Sequence, residues 1–155
     1  MQPRTRRELG SMLEEVMNSA YSELHEHRKL RSKSNLVKTY LVEAHRLSGS
    51  KHTRVLNQLR SSLRTPVAAE FTSRVLETDE EFLYTVKFRR RSGEISVFID
   101  ATDPRFWLAH SIDHSDDVDP IIRSVVAQAE ELDFAWLPVQ LLESISTMGL
   151  FRGLG

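Results

Sequence analysis

The chain has no cysteine among its 155 residues. This absence excludes disulfide bonds, thiolate nucleophiles and zinc sites built on cysteine. The sequence also lacks an unbroken apolar run of membrane-spanning length, and no apolar core or small-residue cleavage site follows its basic start, residues 1–10. We therefore expect a cytoplasmic protein with no membrane partner.

Motifs of nucleotide and hydrolase chemistry are missing too. We find no glycine-rich phosphate loop and no G-x-S-x-G elbow, and therefore expect no cofactor. The 40% hydrophobic and 28% charged fractions are typical of a globular protein, and the length fits one compact unit. Within it we expect a basic helical region over 1–65 and an antiparallel sheet with two helices over 66–155. The apolar ending, 150–155, indicates a fragment of a longer protein or an end buried in a partner.

Charge is strongly separated along the chain, although the net charge is only −1. Residues 27–69 hold ten basic residues and one acid, a net charge of +9, whereas residues 70–155 hold eight basic and sixteen acidic residues, a net charge of −8. This asymmetry indicates either a polyanionic partner for the basic half or two halves that face each other. The third interpretation is that these charged residues lie on solvent-exposed helix faces and bind no partner.

Three helices are predicted before the first strand. Apolar residues at spacings of three and four predict the first over about 6–30, with a narrow stripe that could also serve as an oligomer seam. Asn35 is a suitable N-cap for the second, which Gly49 ends. The third begins with capping residues at 50–53 and stops before Pro66.

The middle of the chain predicts a three-stranded meander. Apolar and polar residues alternate over 69–76, 82–89 and 95–99, and Gly93 suits the hairpin turn between the last two strands. The apolar run 106–112 is too short to assign.

Two helices are predicted to follow, one capped by Asp119 before Pro120 and one opened by Pro138. The predicted fold class is therefore α+β, with three N-terminal helices, a three-stranded antiparallel sheet and two C-terminal helices. All the helices are expected to cover one face of the sheet.

Basic residues of the third helix and the hairpin tip are the candidate nucleic-acid contacts. The order of two short helices, a tight turn and a basic hairpin loosely resembles a winged helix-turn-helix, although an extra strand intervenes. Phosphate binding requires several cations on one surface. The candidates are Lys51, Arg54, Arg60, Arg64, Arg89, Arg90 and Arg91.

Arg105 and His110 have the Arg-x4-His spacing of the HEPN-type ribonucleases. In that family the motif lies late in a helix of an all-helical bundle, whereas here strands and a proline precede it. His110 and His114 would share a metal ion only on a helix, and their surroundings are typical of a loop, so we predict no metal site. Phe106 and Trp107 are interpreted as core residues or as a partner-binding site.

The favoured function is a non-enzymatic intracellular binding module, within a larger protein or complex, that contacts nucleic acid (DNA or RNA) or an acidic protein partner. The alternative is an assembly domain that forms a homo-oligomer through helix 6–30. A ribonuclease-like enzyme using Arg105, His110 and His114 is the third hypothesis.

Overall fold

We describe the protein from a computed structural model, in which residues 2–27, 36–45, 52–63, 71–90, 93–136 and 138–146 are described. The elements in chain order are α1 (Arg6–His27), β1 (Lys38–Ala44), α2 (His52–Ser62), β2 (Thr72–Glu77), β3 (Leu83–Arg90), β4 (Gly93–Asp100), β5 (Phe106–Ser111), α3 (Ser115–Gln128), β6 (Leu132–Phe134) and α4 (Val139–Ser146). The six strands form one sheet in the order β2-β3-β4-β5-β1-β6, and every neighbouring pair is antiparallel.

The predicted three-stranded sheet with three N-terminal helices is therefore wrong, although the α+β class holds. The predicted meander corresponds to β2, β3 and β4, which form one half of a sheet of six strands. The other half consists of β5, β1 and β6. The run 106–112, which the sequence left unassigned, contains β5.

The second predicted helix is a strand. Tyr40, Val42 and Ala44 pack into the core, while Leu41 and Glu43, which alternate with them, point to the other face. Tyr40, Leu41 and Ala44 also fit a helical spacing, which is why the pattern was ambiguous. β1 lies between β5 and β6 and so gains hydrogen bonds on both edges, which outweighs any local helical preference. Because this predicted helix is a strand, the order of elements that resembled a winged helix-turn-helix is not present.

One face of the sheet, here called the core face, packs against two helices. α2 contributes Leu59 and its apolar neighbours, and α3 contributes Ile121 and its neighbours. Both meet alternate residues of the strands, among them Val86 and Val97, which are fully buried. Full burial of an aliphatic side chain contributes about 1.5–3 kcal/mol, so this layer supplies most of the stability.

The opposite face, here called the second face, contacts α1. Leu9 of α1 is buried together with Leu83 of β3 and Phe98 of β4, and Met12 and Leu13 pack against them. This cluster is much smaller than the core on the other side of the sheet. No helix in the described ranges is long and apolar enough to cross a bilayer.

The start of α3 also differs from its prediction. His114, not Asp119, is the N-cap, and its side chain accepts a hydrogen bond from the backbone nitrogen of Asp116. Asp119 instead accepts a hydrogen bond from the hydroxyl of Tyr40, which ties the helix to β1. Pro120 lies inside the helix, where its missing N–H gives up one backbone hydrogen bond.

Candidate nucleic-acid interface and the uncovered sheet face

Three basic residues lie on the second face at the hairpin end of β2 and β3. Arg74 is directly opposite Lys87 in the strand register, and Thr72 is directly opposite Arg89. Since side chains alternate along a strand, Arg74, Lys87 and Arg89 all point away from α2 and α3. Arg74 and Arg89 are exposed and Lys87 is half-buried. We call these three residues the basic cluster.

Glu94 is the acidic residue beside the basic cluster. It lies opposite Arg89 on β4, and the Lys87 ammonium donates a hydrogen bond of 2.5 Å to its carboxylate. This hydrogen bond lowers the pKa of Glu94, and the charges of Lys87 and Arg89 lower it further. Three cations and one carboxylate leave a net charge of +2, and the residue opposite Arg74 is itself a cation. The surface can therefore attract an anion.

Of the four described basic residues that were singled out from the sequence, three do not join this surface. Arg54 and Arg60 belong to α2, which packs on the core face, and Arg60 forms an ion pair of 3.1 Å with Glu77. Three of the seven predicted residues lie outside the described part of the chain: Lys51, Arg64 and Arg91.

Arg89 and Arg90 are neighbours in sequence but point to opposite faces of the sheet. The Arg90 guanidinium lies 3.6 Å from the Asp117 carboxylate and 5.8 Å from the ring centroid of Phe71. Arg90 is thus held against α3, and only Arg89 lies in the basic cluster. The four described members of the predicted set therefore do not lie together on one surface.

Sequence reasoning missed Arg74 and Lys87. The signal was present, because both occupy polar positions in alternating strands. Lys87 and Arg89 are two residues apart, which places them on one side of a strand. The sequence does not show the register that places Arg74 opposite Lys87, because the register depends on the turn between the two strands.

Arg105 and His110 do not form a ribonuclease-like site. They are five residues apart along extended chain, which separates them by about 16 Å. The Arg105 guanidinium lies 2.7 Å from the Glu43 carboxylate, whereas His110 Nδ1 lies 2.9 Å from Thr39 Oγ1. Burial lowers the pKa of His110, while the negative charge of Asp100 opposes this effect.

His110 and His114 are not paired for a metal ion either. His110 is on the sheet and His114 caps α3. Within the described ranges, no group of three or more histidine or acidic residues is placed to hold a metal ion.

Phe106 and Trp107 point to opposite faces of β5. Trp107 is 2% exposed and belongs to the core, where its indole nitrogen has no hydrogen-bond partner among the described residues. Phe106 is 36% exposed on the second face, and the Arg105 guanidinium lies 5.0 Å from its ring centroid. A partner would therefore meet Phe106 and not Trp107.

An apolar row crosses the second face beneath and beyond α1. Leu83 and Phe98 are buried under the helix. In the next two strands Leu108 lies opposite Leu41, and Leu108 is 40% exposed. Together with Phe106 on the same face, these two leucines form what we call the uncovered patch, defined as Leu41, Phe106 and Leu108. The helix covers only half of the row.

Arg6 fixes the start of α1 to the sheet. Its guanidinium donates to both oxygens of Asp100, at 2.8 and 3.2 Å, to Glu80 at 2.7 Å and to the carbonyl of Glu81 at 2.8 Å. These groups line an open cleft of about 650 Å³. Burial alone would raise the pKa of Asp100, but the hydrogen bonds from Arg6 and Thr102 outweigh it and lower that pKa. Since Arg6 of α1 is hydrogen-bonded to two of the carboxylates that line it, we interpret the cleft as the attachment site of α1.

The family described as MJECL33-like protein matches the whole chain, residues 1–155. The chain belongs to this family. The description of the MJECL33-like family names no reaction and no ligand. No solved structure matches the chain.

A curated relative comes from Methanocaldococcus jannaschii and carries the name "Uncharacterized protein MJECL33". It is 27% identical over 139 residues, which cover 89% of this chain. The same alignment covers only 30% of the relative, so this MJECL33-like chain corresponds to less than a third of that protein.

Proposed function

We propose that the chain is a non-enzymatic binding module that contacts nucleic acid through the basic cluster. The observation that carries the proposal is the placement of Arg74, Lys87 and Arg89 on one face of two paired strands. The greater length of the relative supports a module that works within a larger protein.

Like charges directly opposite each other on a strand pair are destabilising. Arg74 and Lys87 have this arrangement, and Glu94 is bound to Lys87 on the side away from Arg74. A phosphate group close to Arg74 would relieve the repulsion. The repulsion between Arg74 and Lys87, which lowers the stability of the fold, is thus consistent with a surface that binds an anion.

A nucleic acid offers a row of phosphates that can reach all three cations together. Binding of this kind releases counterions, so the affinity falls as salt rises. Three phosphate contacts correspond to a slope of log K against log salt of about −2.7 for duplex DNA and about −2.1 for a single strand. These contacts would give affinity without sequence specificity.

The test is fluorescence anisotropy of labelled single-stranded DNA, single-stranded RNA and duplex DNA across a salt series. The triple variant Arg74→Gln, Lys87→Gln, Arg89→Gln removes the basic cluster. Arg54→Gln with Arg123→Gln is the control, because both arginines are exposed on the helices of the opposite face.

We expect salt-sensitive binding of the unmodified protein, its loss in the triple variant and its retention in the control. The proposal is overturned if no nucleic acid binds at low salt. It is also overturned if the control loses as much affinity as the triple variant.

A further inference from the structure

The outer edge of β2 is open to another strand. β2 is an edge strand of the sheet, and no strand in the described part of the chain lies on its other side. Its pairing with β3 runs without a bulge from Thr72 to Glu77, and the strand has no proline or glycine. Natural sheets use such interruptions, or very short strands, to protect an edge. The other edge strand, β6, has only three residues, so β2 is the edge that can accept a further strand.

The direction of the backbone groups in β2 follows from the start of β3. In an antiparallel sheet, successive residues form their hydrogen bonds alternately with the strand on one side and the strand on the other. The Phe82 carbonyl accepts a hydrogen bond of 2.8 Å from the Ala101 nitrogen, just after β4. The Leu83 carbonyl accepts one of 2.8 Å from the Thr78 hydroxyl, just after β2. Leu83 and every second residue after it in β3 therefore bond to β2.

Ser73 and Val75 direct their backbone groups towards the outer edge. Lys87 is one of the residues that bond to β2, and its partner in the register is Arg74. The residues on either side of Arg74 therefore point away from β3. The N–H and C=O groups of Ser73 and Val75 have no backbone partner in the described part of the chain. Such unpaired groups form a template for an added strand.

Arg74 determines the charge of the strand that fits. Its side chain is exposed, and it takes part in none of the ion pairs found among the described residues. The residue opposite Arg74 on an added antiparallel strand would lie in a non-hydrogen-bonded pair, in which the Cα atoms are only about 4.5 Å apart. Opposite charges in such a pair are stabilising. An acidic residue at this position would pair with Arg74 and offset its repulsion from Lys87.

Val75 and Leu76 determine the apolar positions of the added strand. Both are half-buried, Val75 towards the core face and Leu76 on the second face. Apolar residues beside them would remove more of their surface from water. Since the strands run in opposite directions, the segment that fits has two apolar residues followed by an acidic one.

The chain itself has a small example of such recognition just after β2. The backbone nitrogen of Asp79 donates to the carbonyl of Arg4 over 3.0 Å, and the Arg4 guanidinium lies 3.1 Å from the Asp79 carboxylate. One backbone hydrogen bond and one pair of opposite charges thus join two segments at the same two residues.

A second copy of the chain is a poorer occupant of this edge. If β2 paired with β2 of another copy, two basic clusters would lie on neighbouring strands, each with three cations and the carboxylate of Glu94. Like charges on neighbouring strands are destabilising. The charge therefore favours an acidic segment of a different protein.

We propose that the outer edge of β2 binds an extended acidic segment of a partner protein, which adds a strand to the sheet. Ser73 and Val75 bind the backbone of this segment, and Arg74 binds its carboxylate. In recognition of this kind, main-chain hydrogen bonds give affinity and side chains give specificity. Arg74 also belongs to the basic cluster, but this site depends on the backbone of β2, which phosphate binding does not require.

The test is an NMR titration with the capped synthetic peptide Thr-Val-Val-Glu-Thr-Val-Thr, followed through the amides of residues 73 and 75. The same peptide with lysine in place of glutamate is the charge control. Val75→Pro removes an outward N–H, and proline is tolerated in an edge strand where that N–H faces solvent. Val75→Thr is the matched control, because it retains the N–H and the β-branched shape. Circular dichroism checks that each variant is folded.

The glutamate peptide should shift both amides in the unmodified protein and in Val75→Thr, and the lysine peptide should bind at least about fivefold more weakly. Val75→Pro should lose binding of the glutamate peptide. Arg74→Glu should reverse the preference and bind the lysine peptide more tightly. This variant retains the backbone edge, so it tests the proposal even if Val75→Pro does not fold.

The assignment fails if the glutamate peptide leaves the Ser73 amide unshifted, if the two peptides bind equally, or if binding survives in Val75→Pro. An unchanged preference in Arg74→Glu also contradicts it. A dimer in sedimentation equilibrium that Val75→Pro dissociates would give the edge to a second copy instead. Nucleic-acid binding is tested separately, since Val75→Pro retains all three side chains of the basic cluster.

Discussion

Arg74 on β2 and Lys87 on β3 are directly opposite each other, with both side chains on the second face of the sheet. Glu94 is bound to Lys87, and Arg89 is one position further along the same face of β3. The arrangement concentrates positive charge where a sheet would be more stable with alternating signs. Stability and binding therefore make opposite demands on Arg74.

Arg74→Glu should separate these demands. A glutamate opposite Lys87 replaces repulsion with an ion pair, so we expect the free energy of unfolding to rise by about 0.2–1 kcal/mol. Nucleic-acid affinity should fall in the same variant, since a phosphate contact is replaced by a negative charge. Urea unfolding and fluorescence anisotropy measure the two effects. Arg123→Glu, on the exposed side of α3, is the control and should leave the affinity unchanged.

The sequence predicted those parts of the fold whose pattern has one interpretation. The stripe of α1, the helix α2 before Pro66 and the alternation in β3 and β4 each fit one periodicity, and all four elements are confirmed. The prediction for β1 was wrong because its run of apolar residues contains one subset with the spacing of a helix, Tyr40, Leu41 and Ala44, and another with the spacing of a strand, Tyr40, Val42 and Ala44. Only its neighbours β5 and β6, distant in the chain, decide between them.

Only one residue of the basic cluster was predicted from the sequence, for a related reason. Arg89 was singled out from its position at the hairpin tip, but Arg74 belongs to another strand. Its proximity to Lys87 follows from register, which a single sequence does not show. The same limit explains why Arg90 was grouped with Arg89, although α3 holds it on the other face.

Two adjacent aromatic residues on β5 should respond very differently to truncation. Trp107→Ala removes a buried side chain and leaves a cavity, so we expect a loss of about 3–5 kcal/mol in the free energy of unfolding. Phe106→Ala removes a partly exposed ring, and the loss should be within about 1 kcal/mol. Chemical denaturation followed by circular dichroism measures both. Equal losses would contradict the assignment of the two faces.

Arg6 should contribute more to stability than its neighbour Arg7. Arg6→Ala removes four hydrogen bonds and leaves the carboxylates of Asp100 and Glu80 close together without a cation. Because these groups are partly exposed to solvent, we expect a moderate loss of about 1–2 kcal/mol. Hydrogen exchange of the α1 amides should quicken at the same time. Arg7→Ala, at an exposed position, should change stability by less than about 0.5 kcal/mol.

His110 should make the fold less stable as the pH falls. Burial lowers its pKa in the folded state, despite the negative charge of Asp100, whereas the unfolded chain titrates near an ordinary value of about 6.5. Below that pH the unfolded state binds the proton more readily than the folded state. Stability is therefore full above about 6.5 and is lost as the pH falls towards the folded-state pKa.

Urea unfolding between about pH 7.5 and about pH 5 measures this dependence, in a window centred on the ordinary histidine pKa. His110→Gln should flatten the curve over that window. His25→Gln, at an exposed position of α1, should leave it unchanged. If the pH dependence persisted in His110→Gln and disappeared in His25→Gln, the half-buried imidazole beside Thr39 would not be its source. If His25→Gln keeps the pH dependence and His110→Gln loses it, His110, on the sheet face that borders the uncovered patch, is the group that binds the proton.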